Sequence, residues 1–294
     1  MDEHPTAYSR SSARAGGLSR RRISADGVRV GRGAYLSRAV EPTLVERCRA
    51  WTTVLPPGAA FGSSTAAWLL GAPVQEPPRP QVVVPTGVVP PRHPGLVAVS
   101  RLLLPSDVIE VGGLPVTSGA HTWLDLARTT QDDELVAIGD ALFRAGHLDA
   151  DTLAERLARA DGLRGVVRAR HRAGQLTPLA ASRPESLVRV WLLDSPLPDP
   201  DVQVPVLDRA GREVAHGDLG WRRWRILVEY EGAGHAEPER FGADIERYTR
   251  MAADDWLVLR FGRTHLRRSW TVLERCEQAL RARGWRPSPG PSPR

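Results

Sequence analysis

The sequence predicts an α/β protein of two domains, a mixed α-β-β-β-α-β core at the C-terminal end preceded by a mixed α+β domain. Three observations carry this. A chain of 294 residues is longer than one ordinary domain and long enough to bury two cores. A Gly/Pro/Thr stretch from Gly174 to Pro178 separates two differently patterned halves. After Ser182 the apolar spacing passes from helical to strand-like three times before turning helical again.

Taken in order, residues 1–20 are rich in Ser, Arg and Gly without periodicity and are expected to be a disordered arm. The first domain is expected over 21–173. Val28 to Leu36 reads as a small basic hairpin turning at Gly31 and Gly33. Phe61 to Leu70 reads as a short buried helix stopped at Gly71. Gln81–Pro85 and Leu96–Leu103 read as proline-bounded strands, followed by helices at 122–128, 132–145 and 151–160. In the second of these, Leu135, Ile138 and Leu142 share a face and Gly146 suits the C-terminal cap. A basic helix at 163–172 carries Arg164, Arg168, Arg170 and Arg172. A linker at 174–181 leads to the second domain, 182–285. Ser182-Arg183-Pro184-Glu185 is a capping box opening a helix. Strands follow at 202–207, 213–219 and 226–231, then a helix at 238–254, a strand at 256–261 and a helix from Ser269. The tail at 286–294, Pro- and Ser-rich, is expected to be disordered.

Composition narrows the function classes. The net charge is +6 and the pI about 10.2, a balance that favours acidic partners such as nucleic acid. All forty basic residues are arginine, so no catalytic lysine exists; GC-rich codon usage accounts for much of this bias, and planar guanidinium forks suit phosphate. Two cysteines make neither a disulfide framework nor a zinc site. No apolar run of membrane-spanning length is present and no apolar core follows the N-terminal arginines, so no membrane partner or secretory signal is expected and the cytoplasm is the expected location.

The chemistry-bearing feature is acidic. Residues two apart on a strand share a face, so Glu229 and Glu231 point together, and a hairpin brings Asp218 beside them. Three carboxylates converging in an apolar setting repel one another unless a cation neutralises them. Oxygen ligands favour Mg²⁺ or Mn²⁺, which can polarise a phosphodiester and activate water. Asp218, Glu229 and Glu231 are the expected metal ligands. Glu185 doubles as the acid of a capping box. Trp191, Trp221, Trp224, Trp256, Trp270 and Trp285 are expected in the core or covering the sheet, although Trp221 and Trp224 alternate with Arg222, Arg223 and Arg225 at a turn where bases could stack.

This arrangement resembles the restriction-endonuclease-like PD-(D/E)XK superfamily, and within it the proteins related to very-short-patch-repair endonucleases. The likeness rests on Asp218, then Glu229-Tyr230-Glu231-Gly232-Ala233-Gly234-His235, then Arg240, Asp244 and Arg247, then Leu257-Val258-Leu259-Arg260-Phe261. It implies an α-β-β-β-α-β core and metal-dependent hydrolysis of nucleic acid, DNA being the expected substrate. Asp218, Glu229, Glu231, His235 and Glu185 would then be catalytic, and Arg240, Arg247, Arg222 and Arg223 would hold phosphate. Glu231 stands where that family has Asp, and the superfamily lysine is absent.

The N-terminal half resembles the front part of actinobacterial proteins related to AbiEi-type antitoxins of abortive-infection systems. Ser63-Ser64-Thr65-Ala66-Ala67-Trp68-Leu69-Leu70-Gly71, Leu114-Pro115-Val116-Thr117-Ser118 and Thr122-Trp123-Leu124-Asp125-Leu126-Ala127 carry that likeness. Such proteins usually start with a winged helix, whose wing survives as Arg29-Val30-Gly31-Arg32-Gly33-Ala34-Tyr35, although no preceding helices are legible in the first 22 residues. The expected function is a metal-dependent endonuclease; the alternative is a catalytically degenerate nucleic-acid-binding or antitoxin-like regulator that keeps the nuclease fold.

Overall fold

The structure, a computed structural model, describes residues 6–208, 210–232 and 238–287. The chain forms two compact units: one takes the chain up to Thr130 together with Ala145–His171, the other Gln131–Arg144 and the chain from Arg172 onward. The class is α/β, as the sequence predicts.

The first unit opens with elements where a disordered arm was expected. Strand β1 (Ala7–Ser9) leads into helix α1 (Arg10–Ala15), a tight turn, helix α2 (Arg20–Asp26), strand β2 (Gly27–Gly31) and strand β3 (Ala34–Ser37). Local chemistry makes this stretch ordered despite its polarity. Ser9 closes a capping box with Ser12, Ser19 caps α2 by accepting from the Arg22 N–H at 3.2 Å, and Gly17 turns the chain at φ 84°. Tyr8, Ala13 and Ile23 are buried together against Leu18 and Tyr35. Three strands in the order β1-β3-β2 back the two helices, and the β2–β3 hairpin turns through Arg32-Gly33, Gly33 holding φ 83°. This is a winged helix.

Helix α3 (Leu44–Thr52), which was not expected, is capped by Thr43 and buries Trp51 against Gly31, where an added Cβ would meet the indole at 2.2 Å. Beyond it come strand β4 (Ala60–Phe61), helix α4 (Ser63–Leu69) and strands β5 (Gln81–Pro85), β6 (Val97–Arg101), β7 (Val108–Val111) and β8 (Leu114–Thr117). They pair in the order β6-β5-β4-β8-β7. Helix α5 (Gly119–Leu126) has its first four residues buried along with Trp123, Leu124 and Leu126.

Helix α6 (Asp132–Arg144) belongs to the second unit, not the first. Its Asp140, 0% exposed, pairs with Arg189 at 2.6 Å, and its Glu134 and Asp133 bind Arg183 and Trp191. Helices α7 (Ala150–Ala158) and α8 (Val166–Ala173) follow. The arginines of the basic helix are largely committed to structure. Arg168 donates to the Ala127 carbonyl, Arg170 pairs with Asp161, and buried Arg172 with Asp132 and Asp194.

The second unit continues with helix α9 (Arg183–Leu193), strands β9 (Asp201–Leu207), β10 (Glu213–Trp221) and β11 (Ile226–Glu231), helix α10 (Pro238–Ala253), strand β12 (Leu257–Gly262) and helix α11 (Ser269–Ala282). The sheet order is β12-β11-β10-β9, with β11 and β12 parallel and the rest antiparallel. One core joins Val188, Leu192, Leu219, Ile226, Val228, Phe261 and Val272; another joins Val204, Val206, Leu227, Met251 and Trp256. The sheet therefore has an apolar layer on each face. Trp221 is 2% exposed and donates to the Pro198 carbonyl at 2.8 Å, so it belongs to the core and not to a base-stacking tip; Trp270, expected to be covered, is 62% exposed.

Gly220 lets β10 and β11 close on each other, since a Cβ there would lie 2.2 Å from the Ile226 carbonyl oxygen. Because the obstacle is backbone, Gly220→Ala is expected to cost about 1–3 kcal/mol of stability, read as a lower urea midpoint at unchanged slope.

Candidate functional site

Two features stand out: an acidic crevice in the second unit and a basic concavity on the winged helix. In the crevice, Glu185 of α9, Asp218 of β10 and Glu229 of β11 line one tight space with Val188, Leu219 and Val228, leaving no room for a water molecule. Glu229 is 4% and Glu185 8% exposed. Burial pushes all three carboxyls above their ordinary range; Asp218 adds to the rise at Glu185, and the Tyr230 N–H, 3.3 Å from Asp218, works against it at Asp218.

The sequence therefore places Asp218 and Glu229 together, as expected, but their surroundings are already neutralised. Arg247 of α10 donates to Glu229 at 2.5 Å, and the Tyr248 hydroxyl donates to its other oxygen at 2.7 Å. Arg260 of β12 pairs with Glu231, which leans out of the crevice toward that guanidinium. Both Glu185 oxygens are taken by its own helix cap, from Ser182 at 2.7 Å and the Ala181 N–H at 2.8 Å. Arg247, expected on phosphate, is thus spent on a carboxylate. Among the described residues no three His, Cys, Asp or Glu side chains converge to hold a metal ion. The arginines, the tyrosine and the closed crevice do not fit a divalent cation as the side chains stand. His235 and the side chain of Arg240 lie outside the described residues. Arg222 is exposed, and Arg223 stacks over the Trp224 ring at 5.1 Å.

Raised carboxyl pKa values have a sign that can be tested. A group that binds its proton more tightly folded than unfolded costs stability as pH climbs from about 4, the unfolded carboxyl value, through the folded one. Asp218→Asn should therefore raise the melting temperature at neutral pH and flatten its decline between pH 4 and 8. Thermal unfolding across that range reads the effect; a mutant less stable than the parent at pH 7 would show a carboxylate that stabilises the fold.

The winged helix carries the other sign. Arg10 and Arg14 of α1, Arg20 of α2, and Arg29 and Arg32 of the wing line a cavity of about 620 Å³, with no carboxylate in its lining. All five are exposed. On α2 the buried residue is Ile23, leaving Arg20, Arg21 and Ser24 outward. Sequence reasoning found the wing but missed the helices, although Ser9, Gly17 and Ser19 were legible cap and turn signals.

Residues 58–179 match the AbiEi antitoxin C-terminal domain family. The matched AbiEi-like segment begins after the winged helix and ends before the acidic crevice. An uncharacterized protein of Mycobacterium tuberculosis, Rv2248, is 28% identical over 237 residues, 79% of this chain and 84% of the relative; the same figures hold for MT2308 of another strain. The crystal structure of the RV2827C protein from M. tuberculosis is similar with a TM-score of 0.44 and 17% identity, over 63% of this chain and 76% of that one. Among the described residues no helix is long and apolar enough to cross a membrane.

Proposed function

We propose that this chain is an antitoxin-like regulator that binds duplex DNA through its N-terminal winged helix. The observation that carries the reading is the concavity of five exposed arginines shared by α1, α2 and the wing. Guanidinium groups spread over a helix-turn-helix and its wing can grip phosphates on both sides of a groove that α2 enters. The excess positive charge of the chain adds sequence-independent attraction. The AbiEi-like segment supports the antitoxin part of the reading.

Fluorescence anisotropy with a duplex at several salt concentrations tests it. Five phosphate contacts give a slope of log K against log[salt] of about −4 to −5 in the absence of any divalent metal. A flat salt dependence would remove the winged helix from the account.

The competing reading, a metal-dependent endonuclease centred on Asp218 and Glu229, is favoured by the burial of these carboxylates beside each other. It requires Arg247 to leave Glu229. Supercoiled DNA incubated with Mg²⁺ or Mn²⁺ decides it: nicking lost in Asp218→Ala supports the nuclease, and intact plasmid supports the regulator.

A further inference from the structure

A second basic cavity lies in the first unit, within the AbiEi-like segment and apart from the winged helix. Arg101 at the end of β6, Arg128 just after α5, Arg156 and Arg159 at the end of α7, and Arg164 in the turn beyond line a space of about 270 Å³. The one carboxylate in that lining, Asp125, already lies 3.8 Å from the buried His121. Asp107, outside that lining, is shared: Arg159 donates to it at 3.1 Å, with Glu155 3.8 Å from the same guanidinium, while the Arg156 Nε stays 3.9 Å from Asp107. Arg156 is only 6% exposed, and its Nε has no hydrogen-bond partner. Arg101, Arg128 and Arg164 form no ion pair among the described residues.

Arg101, Arg128 and Arg164 are half-buried or exposed guanidiniums without such a pair, and the Nε of buried Arg156 has no acceptor within hydrogen-bond distance, so an anion in the concavity would meet donors that are not yet satisfied. The walls add a second chemistry. Leu102 is 66% and Leu163 40% exposed at the rim, with buried Leu124 between the cationic groups. Apolar walls beside forked donors suit a ligand that joins a flat ring to a phosphate. At about 270 Å³ the space lies just under the usual range for a small-molecule site, the scale of one small ligand and not of a strand. A neighbouring cavity of about 240 Å³ shares Arg156 and Arg159 but adds Asp107, Asp149 and Glu155, so its carboxylates outnumber its arginines and an anion gains little there.

We infer that the Arg101–Arg128–Arg156–Arg159–Arg164 cavity binds a nucleoside phosphate, the arginines holding the phosphate and the leucines the base. The source is a free nucleotide or the phosphorylated end of a strand.

Titration calorimetry on the full chain tests this with AMP, adenosine, inorganic phosphate, and a short single strand with and without a 5′-phosphate. AMP is expected to bind at least about tenfold more tightly than adenosine or phosphate alone. Arg128→Glu and Arg164→Glu should each weaken AMP by about tenfold or more while leaving duplex binding at the winged helix unchanged. Arg164 is exposed in a turn, so its variant keeps the test valid if Arg128→Glu does not fold. Both ligand sources uphold the site: tighter binding of the 5′-phosphorylated strand than of AMP assigns a strand end, and the reverse assigns a free nucleotide. The inference is overturned if AMP does not bind, if neither variant changes its affinity, or if the variants lower duplex affinity and leave AMP binding intact.

Discussion

Reversing two arginines of the winged helix, Arg20→Glu together with Arg32→Glu, is expected to lower duplex affinity by on the order of a hundredfold at physiological salt. Both side chains are exposed and form no ion pair among the described residues, so the fold gives up little when they change. Two lost phosphate contacts should also reduce the salt slope by about two, a reading that separates lost contacts from lost structure. One arginine lies on α2 and the other on the wing, so the double variant removes charge from both arms of the concavity. Anisotropy at three salt concentrations measures affinity and slope together. Unchanged affinity would place DNA contact elsewhere in the chain.

The second large effect is on stability. Asp140 is fully buried in α6, accepts from Arg189 at 2.6 Å and from the Thr177 N–H at 2.8 Å, and Arg189 also donates to the Gln175 carbonyl at 2.7 Å. Burial raises the Asp140 carboxyl pKa and Arg189 opposes it. Asp140→Ala strands a guanidinium that is 4% exposed, and removing one partner of a buried pair costs about 3–5 kcal/mol. That is a large part of the 5–15 kcal/mol that usually holds a domain together. Urea unfolding should show the second unit losing its midpoint first. Asp140→Leu with Arg189→Met should recover much of the loss, because the pair is then removed whole.

Much of the second unit was legible because its strands and helices follow the apolar period without interruption. The run Ile226 to Val228 and the cap at Ser182–Glu185 fix β11 and α9 to within a residue or so. The site was legible only in part. Strand alternation brings Glu229 beside Asp218, but nothing in the spacing says that Arg247, Tyr248 and Arg260 from two later elements would neutralise those carboxylates. Such pairing is set by tertiary packing, which local pattern does not encode. The winged helix was obscured for the opposite reason. Its helices are six and seven residues long and mostly exposed, so they carry almost no apolar period and are held by caps and three buried side chains. The placement of α6 likewise depends on Asp140 and Arg189, forty-nine residues apart in sequence.

The most direct test of the central claim compares three proteins on one labelled duplex in the presence of a chelator: the parent, Arg20→Glu/Arg32→Glu, and Asp218→Ala. DNA binding that persists in Asp218→Ala and collapses in the arginine double variant is the predicted result. Binding that needs Mg²⁺ and disappears with Asp218, while the arginine variant still binds, would contradict the account and return function to the acidic crevice.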